Sequence, residues 1–368
     1  MRVRDIEASV EDWAPRDIAW EGDNIGLQVG SPRAIVHGIL VCVDVTEATI
    51  AEARRRRANL IISHHPLLFR PAASINTASA TGRCLAALLK YDIALLSAHT
   101  NLDFTRGGTS HALGQRLGLT AMEFLRRPFQ RDMKLTTFVP EAYVDRVVSA
   151  LATAGAGRIG EYEKCSFRVA GTGTFRGAAG SHPMIGTAGR FQRVSEVRLE
   201  MIVPRTRAES AIEALKAAHP YEEVAFDLYP LANPSTDAGM GVIGNLPERR
   251  TLGSFLQAIK RALNADRLRF TGNRRTPVAR VAVCGGSGSE LLGEAIAAGA
   301  DAFVTADVKY HTFHEAAGRI ALIDAGHYET ELPVVAALVR YLRSELRRHN
   351  LRLPVRATAV STNPVIYV

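Results

Sequence analysis

The sequence predicts an α/β protein: a discontinuous three-layer α/β domain, built from both ends of the chain, that carries an inserted ferredoxin-like α+β domain. Short apolar, β-branched runs alternate with amphipathic helical patterns in two separate stretches, one near each end. The stretch between them reads β-α-β-β-α-β instead. At 368 residues the chain is also longer than one ordinary domain of about 150 residues. We therefore predict that residues 1–127 and 236–368 form the larger domain and residues 128–235 the insert.

Each apolar run in the two outer stretches is bounded by Gly, Asp or His, as expected for strands between helices. In the first stretch the predicted strands are 35–43, 59–63 and 93–98, and the predicted helices are 47–57 and 81–90. In the last stretch the predicted strands are 278–284, 302–305, 321–324 and 356–360, and the predicted helices are 289–298 and 333–347.

The middle stretch has its own order of elements. The predicted strands are 133–139, 163–170, 196–203 and 224–229, and the predicted helices are 142–154 and 207–218. A Gly-rich segment, residues 171–189, separates the two central strands and is predicted to be a long loop, because it exceeds a tight turn. Three domains in a row is the alternative architecture. Insertion is preferred because candidate functional residues occur on both sides of the middle stretch.

The composition excludes several classes of protein. Hydrophobic residues make up 47% and charged residues 22%, close to the averages of globular proteins. No apolar run approaches the roughly 20 residues that span a bilayer, and acidic residues occupy the N-terminal segment where a signal peptide would be apolar. The four cysteines lie far apart, which argues against disulfides and zinc ribbons. We expect a cytoplasmic protein without a membrane partner.

The net charge of +8 raises the question of nucleic-acid binding. Arginines form one run, Arg54 to Arg57, and otherwise occur in scattered pairs without interleaved aromatic residues. Runs of like charge usually lie on solvated helix surfaces, and this interpretation is favoured. Nucleic-acid binding stays open as the less favoured alternative.

Metal-binding side chains follow three of the predicted strands. Because ligands of open α/β sheets bind beyond the carboxyl ends of strands, these three ends are expected to converge on one crevice. A single histidine at such a position would be interpreted as a core or capping residue. A double histidine, together with His and carboxylate side chains after two other strands, favours a metal site. The residues are His64 and His65, then His99 and Asp103, then Asp324, His327 and Glu331.

The adjacent histidines indicate more than one ion. On a regular strand His64 and His65 would point to opposite faces, but Pro66 ends the strand and frees both side chains. Either Asp103 or Glu331 would bridge two ions, since a carboxylate has two oxygens and an imidazole one free nitrogen. Three histidines and two carboxylates exceed a closed tetrahedral site and suit a dinuclear site with open positions.

Two features near these ligands stay open. His327 and Glu331 share one helix face if a helix begins at Gly326, whereas a helix that begins at Pro333 leaves them at a loop spacing. His99 is a candidate ligand or catalytic residue, but we expect it rather to orient Asp103.

Two further segments are candidates for substrate contacts. Gly285, Gly286 and Gly288 follow a predicted strand and would expose backbone N–H groups to an anion, although a plain tight turn is as well supported. Lys309 and His311 alternate after another strand, and they are candidates to hold a phosphate or to move a proton. A solvated loop is the competing interpretation of the second segment.

The segments SHHPLLF, AHTNLD, TADVKYH and DAGHYETE, in that order, resemble the dinuclear-metal family of GTP cyclohydrolase 1 type 2 homologues, also called interacting-factor-three-like proteins. The early segment DNIGLQVG fits the same pattern, and GTGTF and AHPYEEVAFDLYPL resemble the longer bacterial members with an inserted domain. The resemblance implies metal ligands at His64, His65, Asp103, His327 and Glu331. It also implies a ring-shaped homo-oligomer, often a hexamer, whose sites face an internal cavity.

The leading hypothesis is a metal-dependent hydrolase that holds two divalent ions per subunit, with Zn, Mn, Fe, Co or Ni all compatible with the ligands. The resemblance alone suggests GTP as the nucleotide substrate, with Lys309 or the loop 285–288 placing the phosphates. The catalytic candidates are Lys309, His311 and His99. The alternative is a metal-binding regulatory or scaffold protein without catalytic activity, in which the insert binds a partner.

Overall fold

A computed structural model describes residues 1–72, 74–127, 132–233 and 237–367. The chain divides into two compact units, Met1–Arg127 with Thr236–Val368 and Pro128–Ser235. The junctions at 128 and 235, where the sequence predicts the domain boundaries, lie outside the described residues.

The first sheet of the larger unit has the order β1-β4-β3-β2-β15, in which β1 alone is antiparallel to its neighbour. Every residue of β2, β3 and β4 is buried because helices cover both faces, α2 and α3 on one and α1 and α12 on the other. The elements are α1 (Val3–Trp13), β1 (Gly26–Val29), β2 (Ile39–Cys42), α2 (Glu47–Arg55), β3 (Leu60–Ser63), α3 (Ala80–Lys90), β4 (Ala94–Ser97), α12 (Pro333–Arg348) and β15 (Val355–Ala357).

The second sheet of this unit has the order β11-β14-β13-β12-β10-β5, with β12, β13 and β14 parallel. The amphipathic helix α8 packs Phe255 and Ile259 into its core. The elements are β5 (Thr120–Arg126), β10 (Met240–Thr251), α8 (Leu252–Leu263), β11 (Arg269–Phe270), β12 (Pro277–Ser287), β13 (Ala302–Ala306) and β14 (Ala321–Asp324). Short helices complete the unit: α4 (Thr100–Phe104), α5 (Thr109–Arg116), α9 (Leu292–Ala297), α10 (Tyr310–Ala316) and α11 (His327–Glu331).

Within the larger unit, each end of the chain adds an edge strand to the sheet that the other end mainly builds. Strand β15, from the C-terminal segment, pairs with β2, while β5, from the N-terminal segment, pairs with β10. The outer stretches therefore fold as mixed α/β structure, as predicted, but they form two sheets. The strand ends expected to converge consequently come from different sheets: β3 and β4 belong to the first and β14 to the second.

The smaller unit has four antiparallel strands in the order β7-β8-β6-β9. Helices α6 and α7 pack on one face, around Leu135, Leu199 and Leu215. The elements are β6 (Asp132–Pro140), α6 (Val144–Thr153), β7 (Phe167–Arg176), β8 (Phe191–Pro204), α7 (Ala208–Ala218) and β9 (Phe226–Pro230). The prediction of a loop over residues 171–189 is wrong for residues 171–176, which belong to β7 because its backbone pairs with β8 throughout.

Within the described ranges, no helix combines the length and the apolar character needed to cross a membrane.

Candidate metal centre

The structure brings together the five side chains singled out as ligands. His64 and His65 follow β3, Asp103 lies in α4, and His327 and Glu331 lie in α11. Glu331 is central, because its carboxylate oxygens lie 3.7 Å from His64 Nε2, 2.9 Å from His65 Nε2 and 3.0 Å from His327 Nε2. Asp103 Oδ1 lies 3.4 Å from His64 Nε2. His64, His65 and Glu331 form the tightest group, with ligand atoms within 4.8 Å of one another.

The orientation of His64 is fixed by the backbone. Its Nδ1 lies 2.9 Å from the carbonyl oxygen of Ala98. Since a carbonyl only accepts hydrogen bonds, Nδ1 carries a proton, so Nε2 is the nitrogen that presents a lone pair when the ring is neutral and binds a metal. Both this buried Nε2 and Asp103 Oδ1 lack a hydrogen-bond partner among the described residues. Buried polar atoms are rarely left unpaired, and a cation between these two would satisfy both.

The other two histidines are oriented by carboxylates. His65 Nδ1 lies 2.8 Å from Asp44 Oδ1, and His327 Nδ1 lies 2.7 Å from Asp307 Oδ2. Each ring thereby turns Nε2 toward Glu331. A metal-binding histidine almost always donates its second ring nitrogen to a carboxylate or a carbonyl. The residues present therefore fit a metal site, although sequence reasoning did not find the roles of Asp44 and Asp307.

The charges of the centre perturb its acid–base equilibria. Burial opposes protonation of His65, but hydrogen bonds to Asp44 and Glu331 outweigh it and raise the pKa to about 10. The hydrogen bond to Glu331 raises the pKa of His327 to about 9 against the effect of burial. Burial favours the neutral form of Glu331, yet the neighbouring histidines hold its pKa well below the ordinary range. Burial raises the pKa of Asp103 despite the nearby His64.

Glu331 lies beside His327 in the centre because a short helix begins at His327. Helix α11 begins at His327, directly after Gly326 at φ +89°, so His327 and Glu331 lie on one helix face as the first alternative predicted. Gly286, at φ +64°, lies against Glu331, and a Cβ atom there would collide with Oε1. The glycine loop thus makes room for the central carboxylate.

The same loop does not offer a binding site for an anion. The N–H groups of Gly285, Gly286 and Gly288 donate to hydroxyl oxygens, at 3.4, 3.0 and 3.0 Å. The acceptors are Ser110 Oγ, Thr330 Oγ1 and Thr305 Oγ1 respectively. The expectation that these groups face an anion is wrong, because side chains of the same unit already occupy them.

His99 lies beside the centre but is held by a different carboxylate than expected. Its Nδ1 lies 2.9 Å from Asp23 Oδ1, and the Thr100 N–H also donates to Asp23, at 3.1 Å. Burial raises the pKa of Asp23, but these hydrogen bonds prevail and lower it to about 2. The His99 ring lies edge-on to His64 and His65, with centroids 5.4 and 5.5 Å apart. The prediction that its side chain orients Asp103 is wrong; the Asp103 N–H donates instead to the His99 carbonyl.

The segment with Lys309 and His311 is organised differently from the prediction. Lys309 precedes helix α10, and His311 is in its first turn. Lys309 has an extended backbone and His311 a helical one, so the strand alternation on which the prediction depends is absent. Both are exposed, and the His311 and His314 rings contact Tyr310. Of this segment, Asp307 contacts the centre, through His327.

The C-terminal segment supports the centre from outside. Thr362 Oγ1 donates to Asp44 Oδ2 at 2.7 Å, and Asn363 donates to Glu329 Oε1 at 2.9 Å. Asp44 therefore has one oxygen on His65 and the other on Thr362. Such a contact joins positions more than 300 residues apart, and no local pattern in the sequence could have indicated it.

Asp44→Asn is expected to lower metal affinity about 10- to 100-fold without unfolding the chain, since the amide no longer enforces the tautomer of His65. Metal affinity would be measured by competition with a chromogenic chelator. Asp92→Asn is the matched control, because Asp92 is exposed and has a left-handed backbone conformation that Asn also tolerates. Equal affinity of both variants would contradict a role for Asp44 in orienting His65.

Comparison with known proteins assigns the family. The sequence profile described as Duf34/NIF3 (NGG1p interacting factor 3) matches residues 1–364. The chain belongs to the DUF34/NIF3 family. Two DUF34/NIF3 relatives named GTP cyclohydrolase 1 type 2 homolog, from Halalkalibacterium halodurans and Mycobacterium tuberculosis, are each 38% identical to it. The alignments cover 97% and 99% of this chain and 96% of each relative.

A solved DUF34/NIF3 structure is also similar. It is the crystal structure of a Bacillus cereus protein related to NIF3, with a TM-score of 0.89 and 38% identity. The match covers 100% of this chain and 99% of that one. The resemblance found in the sequence motifs is thus confirmed at the level of the family.

Proposed function

We propose that this protein is a metal-dependent hydrolase that holds two divalent ions with His64, His65, Asp103, His327 and Glu331. One observation carries the proposal: three imidazoles present Nε2 to two carboxylates, while each Nδ1 is already bound to a carbonyl or a carboxylate. Without a cation, His64 Nε2 and Asp103 Oδ1 are buried without a hydrogen-bond partner among the described residues. The ligand types suit Zn, Mn, Fe, Co or Ni.

The position of Glu331 supports two ions. Its Oε1 is near His64 and His327, whereas Oε2 is near His65, so the two oxygens face different imidazoles. Divalent ions held by these residues would lower the pKa of a coordinated water to about 7 and so would supply a nucleophile at neutral pH. His99, held by Asp23, is placed to accept or return a proton beside the centre.

A nucleotide is the proposed substrate. The relatives' name, GTP cyclohydrolase 1 type 2 homolog, supports attack on a purine ring such as that of GTP. Lys309, an exposed residue, is the proposed contact for a phosphate, because the N–H groups of Gly285, Gly286 and Gly288 already donate to hydroxyl groups. We place this activity in the cytoplasm.

Two proposals concern organisation. The β-α-β-β-α-β order and the strand order β7-β8-β6-β9 support a ferredoxin-like fold for the inserted unit. The family resemblance supports assembly of the whole chain into a ring-shaped homo-oligomer, a hexamer. Light scattering on the purified chain would measure the number of subunits.

Elemental analysis followed by a nucleotide panel, with and without chelator, tests the function. We expect two ions per chain and a hydrolytic activity that chelation removes and added metal restores. His65→Ala is expected to lower both metal content and activity at least about tenfold. His37→Ala, at an exposed histidine, is the matched control.

Two outcomes would contradict the hydrolase. If no nucleotide is consumed by the fully metal-loaded protein, the proposed reaction is wrong. If His65→Ala dissociates the assembly while the wild type has no activity to lose, the metal is structural, and a regulatory or scaffold protein becomes the better interpretation.

A further inference from the structure

The smaller unit contains a cavity of about 710 Å³ that the metal centre does not involve. Its floor is the face of the four-stranded sheet opposite α6 and α7, which presents Phe138, Val169 and Glu196. Residues 181–185, including Met184, and residues 221–223 contribute to its walls. This volume lies within the range of small-molecule sites, about 300–1,000 Å³.

A buried carboxylate lies on the floor of the cavity. Glu196 is 8% exposed, on β8 between Ser195 and Val197. The adjoining strand β7 has Gly171 and Gly173 on this face, and a Cβ atom at Gly173 would collide with Glu196 Oε2. The GTGTF segment therefore has glycine where any other residue would displace the carboxylate. These glycines give the acidic group space in the sheet surface.

One oxygen of this carboxylate remains available. The Tyr221 hydroxyl donates to Glu196 Oε1 at 2.8 Å. Within the described parts of the chain, Oε2 accepts no hydrogen bond. Because Glu196 lines the cavity, a ligand with a positive charge or N–H groups could form a charge-assisted hydrogen bond with this oxygen.

Aromatic rings line the same cavity. Phe138, Phe175 and Tyr221 all line the cavity, and the ring centroids of Phe175 and Tyr221 lie 6.3 Å apart. Aromatic faces attract organic cations because the ring quadrupole is negative above the plane. Met184 and Ile185 add apolar surface for the rest of a ligand.

The charged residues of the lining also favour a cation. Glu222 and Glu223 join Glu196 there. Two arginines also line the cavity: Arg198 pairs with Glu200 at 2.9 Å, which offsets its charge, whereas Arg176 donates to the Gly189 carbonyl at 3.0 Å and keeps its charge. With three carboxylates and two arginines the lining is net acidic, in a chain of net charge +8. The complementary ligand is positively charged.

We propose that this cavity binds a small organic cation, a substituted ammonium group carried on an aromatic or aliphatic body. The ammonium group lies between Glu196 and the three aromatic rings, and the body contacts Met184 and Ile185. This site is separate in sequence from the metal ligands, and its occupation does not depend on the proposed hydrolase activity.

Calorimetric titration of the full-length, metal-loaded protein tests the proposal with a matched pair of probes, phenethylamine and its neutral counterpart phenylethanol. For a probe of this size we expect a Kd of about 1 mM for the amine and at least about tenfold weaker binding of the alcohol. Glu196→Gln should weaken the amine about tenfold and leave the alcohol unchanged. Glu213→Gln, at an exposed glutamate of α7, should bind the amine like the wild type.

Three results would overturn the proposal: no binding of the amine to the wild type, equal binding of the two probes, or undiminished binding of the amine by Glu196→Gln. If that variant does not fold, Met184→Trp offers a second test, since an indole at this half-exposed position fills the cavity and should abolish amine binding.

Discussion

Glu331→Gln is expected to abolish tight metal binding, with a loss of affinity greater than about 100-fold for both ions. The reason is positional: this one carboxylate faces three imidazoles, and a neutral amide would turn an N–H donor or a weak oxygen toward each of them. Metal stoichiometry after dialysis against a weak chelator would be measured by elemental analysis. The proposed hydrolase activity should disappear with the metal.

Glu329→Gln is the matched control for this variant. Glu329 lies in the same short helix and is 8% exposed, but it accepts a hydrogen bond from Asn363, which Gln also accepts through its amide oxygen. We expect this variant to retain both ions. Loss of a single ion from Glu331→Gln would contradict the proposal that this residue serves two ions.

The second large effect concerns the metal-free protein, whose free energy of unfolding is expected to fall between about pH 7 and pH 10. The pKa values of His65 and His327 are raised to about 10 and about 9 from 6.5. Raised values mean that the folded state binds more protons, so this stabilisation is complete below about pH 6.5 and is lost through the folded-state values. We expect a loss of about 2 kcal/mol, mostly from His65, because solvent screens the more exposed His327.

Chemical denaturation in the presence of chelator would measure this effect for the wild type and for His65→Asn. The difference between the two at each pH isolates the contribution of His65, because the other titrating groups are present in both. Zinc binds imidazoles in their neutral form. With saturating zinc, the fall in the free energy of unfolding between about pH 7 and pH 10 should therefore vanish. Metal binding at neutral pH should also release protons. A metal-free wild type whose stability follows that of His65→Asn throughout the pH range would show that the imidazoles are not coupled to these carboxylates.

Sequence reasoning could locate His64 and His65 because an apolar run ends in a histidine pair before Pro66, and a strand cannot continue there. It could not find Asp44, Asp307 and Asp23 as the partners of His65, His327 and His99. A single aspartate after a strand is common, and its pairing with a distant imidazole leaves no periodic signal. The hydroxyl groups that occupy the glycine loop were missed for the same reason.

Some strands could likewise be recognised from the sequence, and others could not. The strands β2, β3 and β4 are buried on both faces, so their sequences are continuously apolar and easily recognised. Strand β10 escaped prediction because it contains Gly241, Gly244 and Pro247, residues that normally interrupt strands. The extension of β7 through GTGTF was missed because glycine in a strand is explained only by what lies against it, here Glu196.

The tether from Thr362 to Asp44 has a consequence for biosynthesis. A ribosome releases His64 early and Glu331 late, with the contiguous unit Pro128–Ser235 in between. The candidate metal ligands can therefore meet only after the insert and helix α11 have both been made. A chain that stops before Thr362 would lack the hydroxyl that holds Asp44 beside His65, and we expect it to bind metal less tightly.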